Sequence, residues 1–227
     1  VKRLLLVLGL AAAVLPVPSA SAVNGVLQPG DYMVAGSAAC TTNFVYDGTG
    51  SLAGNVYVGT AAHCVETVGQ DVSDINGHVW GDVAIIGDAN STAPDYAFIQ
   101  VRAADVSRVS AAVKGYPAYP TGVATSADTN IGDLVQISGY GLGFDFSNVT
   151  EEQRRAVLTY QDSSTADVLG PIDFGDSGGP LVHAGTGKAL GIVSRLCTGL
   201  CEETGPTVEG ILAQAAARGF TVTLRTV

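Results

Sequence analysis

The sequence predicts an all-β fold with one short helix near its C-terminus. Between Asp31 and Ile192 the chain is a series of short β-branched or apolar stretches broken by Gly, Pro, Asn and Asp, the pattern of many short strands joined by turns. Near the C-terminus the periodicity changes: Val208, Ile211, Leu212, Ala215 and Ala216 recur at the i, i+3, i+4, i+7 spacing of one buried helix face. In chain order the clearest strand-like stretches are Val56-Tyr57-Val58, Val83-Ala84-Ile85-Ile86, Tyr96 to Val101, Leu134-Val135-Gln136-Ile137 and Ala189 to Val193. The 29 glycines supply the tight turns that so many short strands need. Gly219 is placed to stop the helix, and Phe220 to Leu224 alternates as a last strand. Pro117 and Pro120, within Gly115 to Gly122, mark the crossing between an N-terminal and a C-terminal half.

With 227 residues, 47% hydrophobic and 14% charged, the chain can bury a sizeable core. Its N-terminus reads Val1-Lys2-Arg3, an apolar run from Leu4 to Val17, then Ser19-Ala20-Ser21-Ala22. This is the order of a basic region, an apolar region and a small-x-small cleavage site in a secretory signal peptide, with cleavage after Ala22. A run of about 14 apolar residues interrupted by Pro16 and Pro18 falls short of the roughly 20 a spanning helix needs. Val1 in place of an initiator methionine fits a bacterial valine-codon start. Residues 1–22 are therefore expected to be removed on export, leaving a secreted, extracellular chain from residue 23 to 227.

Removing that leader takes away Lys2 and Arg3 and no acid, leaving 9 cationic against 21 acidic residues, a net charge of −12. Such a surface repels nucleic acid and anionic membranes. Apart from the adjacent Arg154-Arg155 the cations are scattered. No nucleic-acid partner, no membrane association after cleavage and a monomeric state are expected.

Four cysteines, Cys40, Cys64, Cys197 and Cys201, are an even set in an exported chain and read as two disulfides with three possible pairings. Cys197 and Cys201 enclose only three residues, so a local bridge there is sterically reasonable and leaves Cys40 for Cys64. Zinc competes, but Cys-x3-Cys with no second close pair is a poor ligand set. No metal and no cofactor are expected.

Three segments carry chemistry. Gly175-Asp176-Ser177-Gly178-Gly179-Pro180 surrounds one hydroxyl nucleophile with small residues, which lets backbone N–H groups approach a tetrahedral oxyanion. Thr60-Ala61-Ala62-His63-Cys64 places a histidine just beyond a strand and beside a cysteine. A serine hydroxyl needs a neutral imidazole to accept its proton during attack, and His63 fits that need. Asp95-Tyr96-Ala97-Phe98-Ile99 begins an apolar strand with an acid; once buried, the acid needs a donor such as the His63 ring N–H. Taken singly, each also reads as ordinary structure: a glycine-rich turn, a core histidine, a turn aspartate after Pro94. His78 and His183 lack comparable context and read as structural histidines.

Together, and in this order, TAAHC, DYAFI and GDSGGP resemble the three active-site blocks of the trypsin/chymotrypsin family of serine proteases. Order separates this from α/β-hydrolases, whose serine precedes the acid and the histidine, and from subtilisin-like enzymes, whose aspartate precedes the histidine. Ile137-Ser138-Gly139-Tyr140-Gly141 is similar to the family's S-G-W-G segment, and Gly191-Ile192-Val193-Ser194 to its G-I-V-S segment. Cys40 with Cys64 matches the family disulfide beside the histidine. The resemblance implies two six-stranded Greek-key β-barrels, about 23–116 and 122–227, with the active site between them. It implies Ser177 as nucleophile, His63 as base, Asp95 as the acid orienting His63, and backbone N–H groups of Gly175 and Ser177 as the oxyanion hole. Ser194 would help hold Asp95. Asp176 would be structural, pairing with the ammonium of Val23 freed by leader cleavage, or with an internal arginine such as Arg102.

The implied substrate pocket of Pro171, Ile172, Ser194, Arg195 and Leu196 departs from the family. Pro171 stands where trypsins carry aspartate, so no preference for Arg or Lys is expected. Leu196 in place of glycine narrows the mouth and either favours small or modest apolar side chains or restricts access severely, whereas Arg195 favours acidic ones. The expected function is that of a secreted serine endopeptidase acting on protein or peptide substrates. Two rivals remain: a homologue that has lost turnover and acts as a binding protein, and a secreted esterase.

Overall fold

A computed structural model describes residues 25–88, 90–91, 94–141, 152–195 and 203–227. The leader, Val23, Leu196, Cys197 and Cys201 lie outside these residues. The described chain is almost entirely β: fourteen strands and one α-helix, with the strands in two antiparallel sheets.

The first sheet has eight strands in the order β14-β3-β4-β7-β6-β5-β1-β2. These are β1 (Tyr32–Ala35), β2 (Ala38–Thr41), β3 (Val45–Gly48), β4 (Val56–Thr60), β5 (Asp71–Ser73), β6 (Val79–Ile86), β7 (Ala97–Val101) and β14 (Val222–Leu224). The second has six, in the order β12-β11-β8-β9-β10-β13, from β8 (Leu134–Gly139), β9 (Glu152–Gln161), β10 (Thr165–Leu169), β11 (Pro180–His183), β12 (Ala189–Ile192) and β13 (Glu203–Pro206). Its first and last strands approach through bridges Gly191↔Thr207 and Arg195↔Thr204, which bring the sheet close to a closed barrel. All five strand-like stretches of the sequence fall on strands, namely β4, β6, β7, β8 and β12.

The first sheet exceeds the expected six strands partly because the C-terminal tail returns to it. Helix α1 (Val208–Ala217) has the predicted span and buries Val208, Ile211 and Ala215. Its N-cap is Thr207, whose hydroxyl accepts from the Gly210 N–H at 3.0 Å, satisfying one of the donors a helix start leaves open. Gly219 adopts φ +81° and ends the helix. Phe220 then stacks on Phe98 at 5.3 Å and meets Tyr57 edge-on at 5.0 Å, and β14 pairs with β3. The C-terminal half therefore does not run as a separate barrel to residue 227; its last segment straps it to the first sheet.

Each sheet encloses its own core. The first gathers Trp80, Tyr46, Tyr57, Tyr96, Phe44 and Phe98, all nearly inaccessible. The second packs Val135, Ile137, Ala156, Leu158, Leu181 and Leu190. Strand β9 alternates cleanly, with Arg154, Ala156 and Leu158 turned inward and Gln153, Arg155 and Val157 outward. No described helix is long and apolar enough to cross a membrane.

Several surface carboxylates are held in their charged form. Lys188 and the Thr125 N–H draw Asp128 down to about 2, hydrogen bonds from Arg102 lower Asp82, and backbone N–H groups of Ser164 and Thr165 lower Asp162. A carboxyl whose folded value lies below its unfolded one adds stability above the unfolded value and loses it as pH falls through the folded one. Asp31 works the other way, because burial outweighs Lys114 and raises it. Net, the urea midpoint should stay nearly level from pH 7 to 5 and fall between about pH 4 and pH 2. A midpoint that holds or rises over that lower interval would contradict this balance.

Candidate active site

The sequence-predicted residues converge from the ends of strands of both sheets. His63 follows β4 on a single 3-10 turn, Ala62–Cys64, with Ala62 and Cys64 buried on either side. Asp95 precedes β7 and is 1% exposed. A carboxylate so buried needs donors, and Asp95 has three. The His63 N–H reaches Oδ1 at 3.0 Å, His63 Nδ1 lies 2.8 Å from Oδ2, and the Ser194 hydroxyl donates to Oδ2 at 2.5 Å. Because a carboxylate accepts only, the proton of neutral His63 belongs on Nδ1, and Nε2 is left as an acceptor. The side chain of His63 is 35% exposed, enough for a substrate to reach it.

Cys40 and Cys64 form a disulfide, with Cα atoms 6.1 Å apart. Their sulfurs and a ring nitrogen of His63 lie within 4.8 Å of one another, so the bridge buttresses the histidine turn. Cys197 and Cys201, expected as the second pair, lie outside the described residues.

Ser177 sits half-buried between Asp176 and Gly178, just before β11. Its loop packs on the histidine segment. A side chain at Gly178, which has φ +85°, would meet Thr60 Oγ1 at 2.3 Å, the Thr41 carbonyl at 2.5 Å and the Ala61 nitrogen at 2.9 Å. Only glycine fits there. The Ser177 hydroxyl makes no hydrogen bond among the described residues, so its link to His63 is open in this structure. The backbone N–H groups of Gly175 and Ser177 are likewise undonated among the described residues, whereas those of Asp176, Gly178 and Gly179 are all paired.

Asp176 is fully buried. Arg154 grips it with both terminal nitrogens, Nη1 to Oδ2 at 2.6 Å and Nη2 to Oδ1. The N–H groups of Gly141 and Asp173 add bonds of 2.8 and 3.0 Å. The partner is thus an internal arginine, one of the two alternatives from the sequence, but it is Arg154 and not Arg102. Arg102 instead pairs with Asp82 and Asp71 on the first sheet, and an ammonium from Val23 would find both Asp176 oxygens already engaged. The bed for this carboxylate explains the S-G-Y-G segment, because side chains at Gly139 or Gly141 would come within 2.4 and 2.1 Å of its oxygens.

The pocket residues show less convergence. Pro171 is exposed, and its carbonyl accepts from Arg154 Nη1 at 2.8 Å. Ile172 packs partly against the second core. Arg195 is exposed, carries no ion partner among the described residues and continues the strand edge beyond Ser194 through its bridge to Thr204. Leu196 lies outside the described residues. Phe174, next to Gly175 and 72% exposed, is an apolar side chain at the site's rim that no sequence motif marks. His78 and His183 are structural as read: they engage Asp105 at 2.8 Å and Asp133 at 3.1 Å.

A glycine-rich serine loop packed beside a histidine–aspartate pair, at the junction of two antiparallel β-sheets, is the arrangement of the chymotrypsin-like serine proteases. The Trypsin family model matches residues 28–209, and the chain belongs to that family. Among solved structures it is similar to protease A of Thermobifida fusca, with TM-score 0.65 and 19% identity over 89% of this chain and 100% of that one. It also resembles a glutamic-acid-specific serine protease that uses a histidine triad in substrate binding, with TM-score 0.61, 22% identity and coverage of 88% and 100%. Cellulomonas bogoriensis chymotrypsin aligns with TM-score 0.58, 19% identity and the same coverage. A sequence comparison with curated proteins finds no match.

Breaking a buried, hydrogen-bonded ion pair by removing one partner strands the other. Arg154→Met and Asp176→Asn should each lower the unfolding free energy by about 3 kcal/mol, and the double variant should lose clearly less than their sum. Additive losses in urea denaturation would show that the two side chains act independently.

Proposed function

We propose that this chain is a secreted serine endopeptidase, with Ser177 as nucleophile, His63 as general base and later acid, and Asp95 as the group that orients His63. The observation that carries this reading is the three-donor capture of the buried Asp95 carboxylate, which fixes the His63 tautomer with Nε2 free to accept a proton. Ser177 attacks the scissile carbonyl as His63 takes its proton. The tetrahedral oxyanion accepts from the N–H groups of Gly175 and Ser177, each worth on the order of 3 kcal/mol in the transition state. His63 then protonates the leaving amine, and water repeats the sequence on the acyl-enzyme. Substrate brings the serine and imidazole into register, since catalytic hydrogen bonds are often open without it.

The Arg154–Asp176 pair supplies within the domain the charge partner that holds the oxyanion loop, so the loop's order does not depend on a freed N-terminus. The signal-like leader and the Cys40–Cys64 disulfide support export to an oxidising compartment. No carboxylate stands at Pro171 to pair with a cationic side chain, and Phe174 offers an apolar rim. The expected substrates are proteins or peptides cut without preference for Arg or Lys, by a monomer that needs no cofactor.

Cleavage of a diverse peptide library by the mature chain, beside Ser177→Ala, tests activity and specificity together. Cuts without Arg or Lys enrichment on their N-terminal side, abolished in S177A, are the expected result. Cleavage that survives in S177A, or no cleavage by the correctly processed chain, would contradict the proposal. Turnover of esters alone would make the protein an esterase.

A further inference from the structure

Thr41, the last residue of β2, belongs to neither the histidine–aspartate pair nor the serine loop, yet it touches both neighbourhoods. Its N–H donates to the Ser177 carbonyl at 2.9 Å, and its hydroxyl donates to the Gly175 carbonyl at 2.7 Å. Its own carbonyl accepts the Thr60 hydroxyl at 3.1 Å, three residues before His63. Both threonines are fully buried. We infer that Thr41 is a positioning residue for the oxyanion hole, an inference that rests on the serine-protease reading above.

The serine loop is a succession of peptide planes, each free or held. Two of them, 174–175 and 176–177, carry the undonated N–H groups that would meet an oxyanion. The planes between and after them are held at both ends. Plane 175–176 is fixed by the Thr41 hydroxyl on its carbonyl and by Asp176 N–H donating to Asp173 at 3.1 Å. Plane 177–178 is fixed by the Thr41 N–H on its carbonyl and by Gly178 N–H donating to Val193 at 2.7 Å. One residue of the first sheet thus secures a plane on each side of Ser177. Any residue but proline would supply the N–H, whereas the bond to the Gly175 carbonyl comes from the Thr41 hydroxyl. Gly175 itself sits at φ +100°, a region where glycine turns freely, so this carbonyl is where the loop needs an outside restraint. Misaligned donors cost rate rather than binding, because the oxyanion exists only in the transition state.

The test compares wild type, Thr41→Val, which keeps the shape and removes the donor, and Thr41→Ser, which keeps the donor. Ser177→Ala serves as the reference for loss of the nucleophile. For T41V, kcat on a peptide substrate should fall about tenfold with KM within about twofold. Affinity for a peptide boronic acid, which forms a tetrahedral adduct, should fall in parallel, while T41S recovers most of both. If T41V does not accumulate as folded protein, Thr41→Ala carries the same comparison. The inference is overturned if the donor-less variant keeps wild-type kcat and boronate affinity, or if T41S loses as much. A wild type with no more activity than S177A would instead overturn the protease reading itself.

Discussion

A carboxylate without access to water must have its charge and both oxygens satisfied by groups that do not move. Asp176 is such a carboxylate, and the rest of the site is arranged around it. Arg154 reaches it from an inward position of β9, Gly141 from the end of β8, and Asp173 from its own loop. The glycines at 139 and 141 exist in these positions because the oxygens of Asp176 occupy the space a side chain would need. With that carboxylate fixed, the backbone on either side of it is fixed too, and the two N–H groups flanking it donate to no partner among the described residues. In the proposed reaction they would be the preorganised donors that electrostatic stabilisation of an oxyanion requires.

The second constraint is that neither sheet carries the site alone. His63, Asp95 and Thr41 come from the first sheet; Ser177, Ser194 and the Asp176 bed come from the second. Ser194 bonds to Asp95 across the junction, as Thr41 does to Gly175 and Ser177. The C-terminal strap of α1, Phe220 and β14 makes the same join on the far side, through the aromatic contacts with Phe98 and Tyr57. Docking of the sheets and assembly of the site are therefore one event.

Much of this was legible in the sequence, for identifiable reasons. Strands β4, β7, β8 and β12 bury most of their side chains and so appear as apolar runs, Ala84, Ile85 and Ile86 of β6 pack partly buried against the first core, and α1 buries one stripe and so shows its period. The histidine and serine sit in short segments of small residues, close approach at Gly178 requiring glycine, and Asp95 heads an apolar strand. Strand β9 shows no polar–apolar alternation in the sequence because the charged Arg154 faces inward and the apolar Val157 outward. The partner of Asp176 is masked for the same reason: Arg154 beside Arg155 looks like a solvated pair, and only the face it occupies distinguishes it. Thr41 and β14 act through contacts 134 and about 175 residues away in the chain, and no local pattern encodes their partners.

In the proposed reaction Ser177 is a nucleophile that forms an acyl-enzyme. Rapid-mixing hydrolysis of a p-nitrophenyl ester, followed by acid quench and peptide mapping, observes that species directly. A burst of one nitrophenol per chain and an acyl group on Ser177 are the expected result. A burst absent under saturating ester, or an acyl group mapped to another residue, would contradict the proposed reaction.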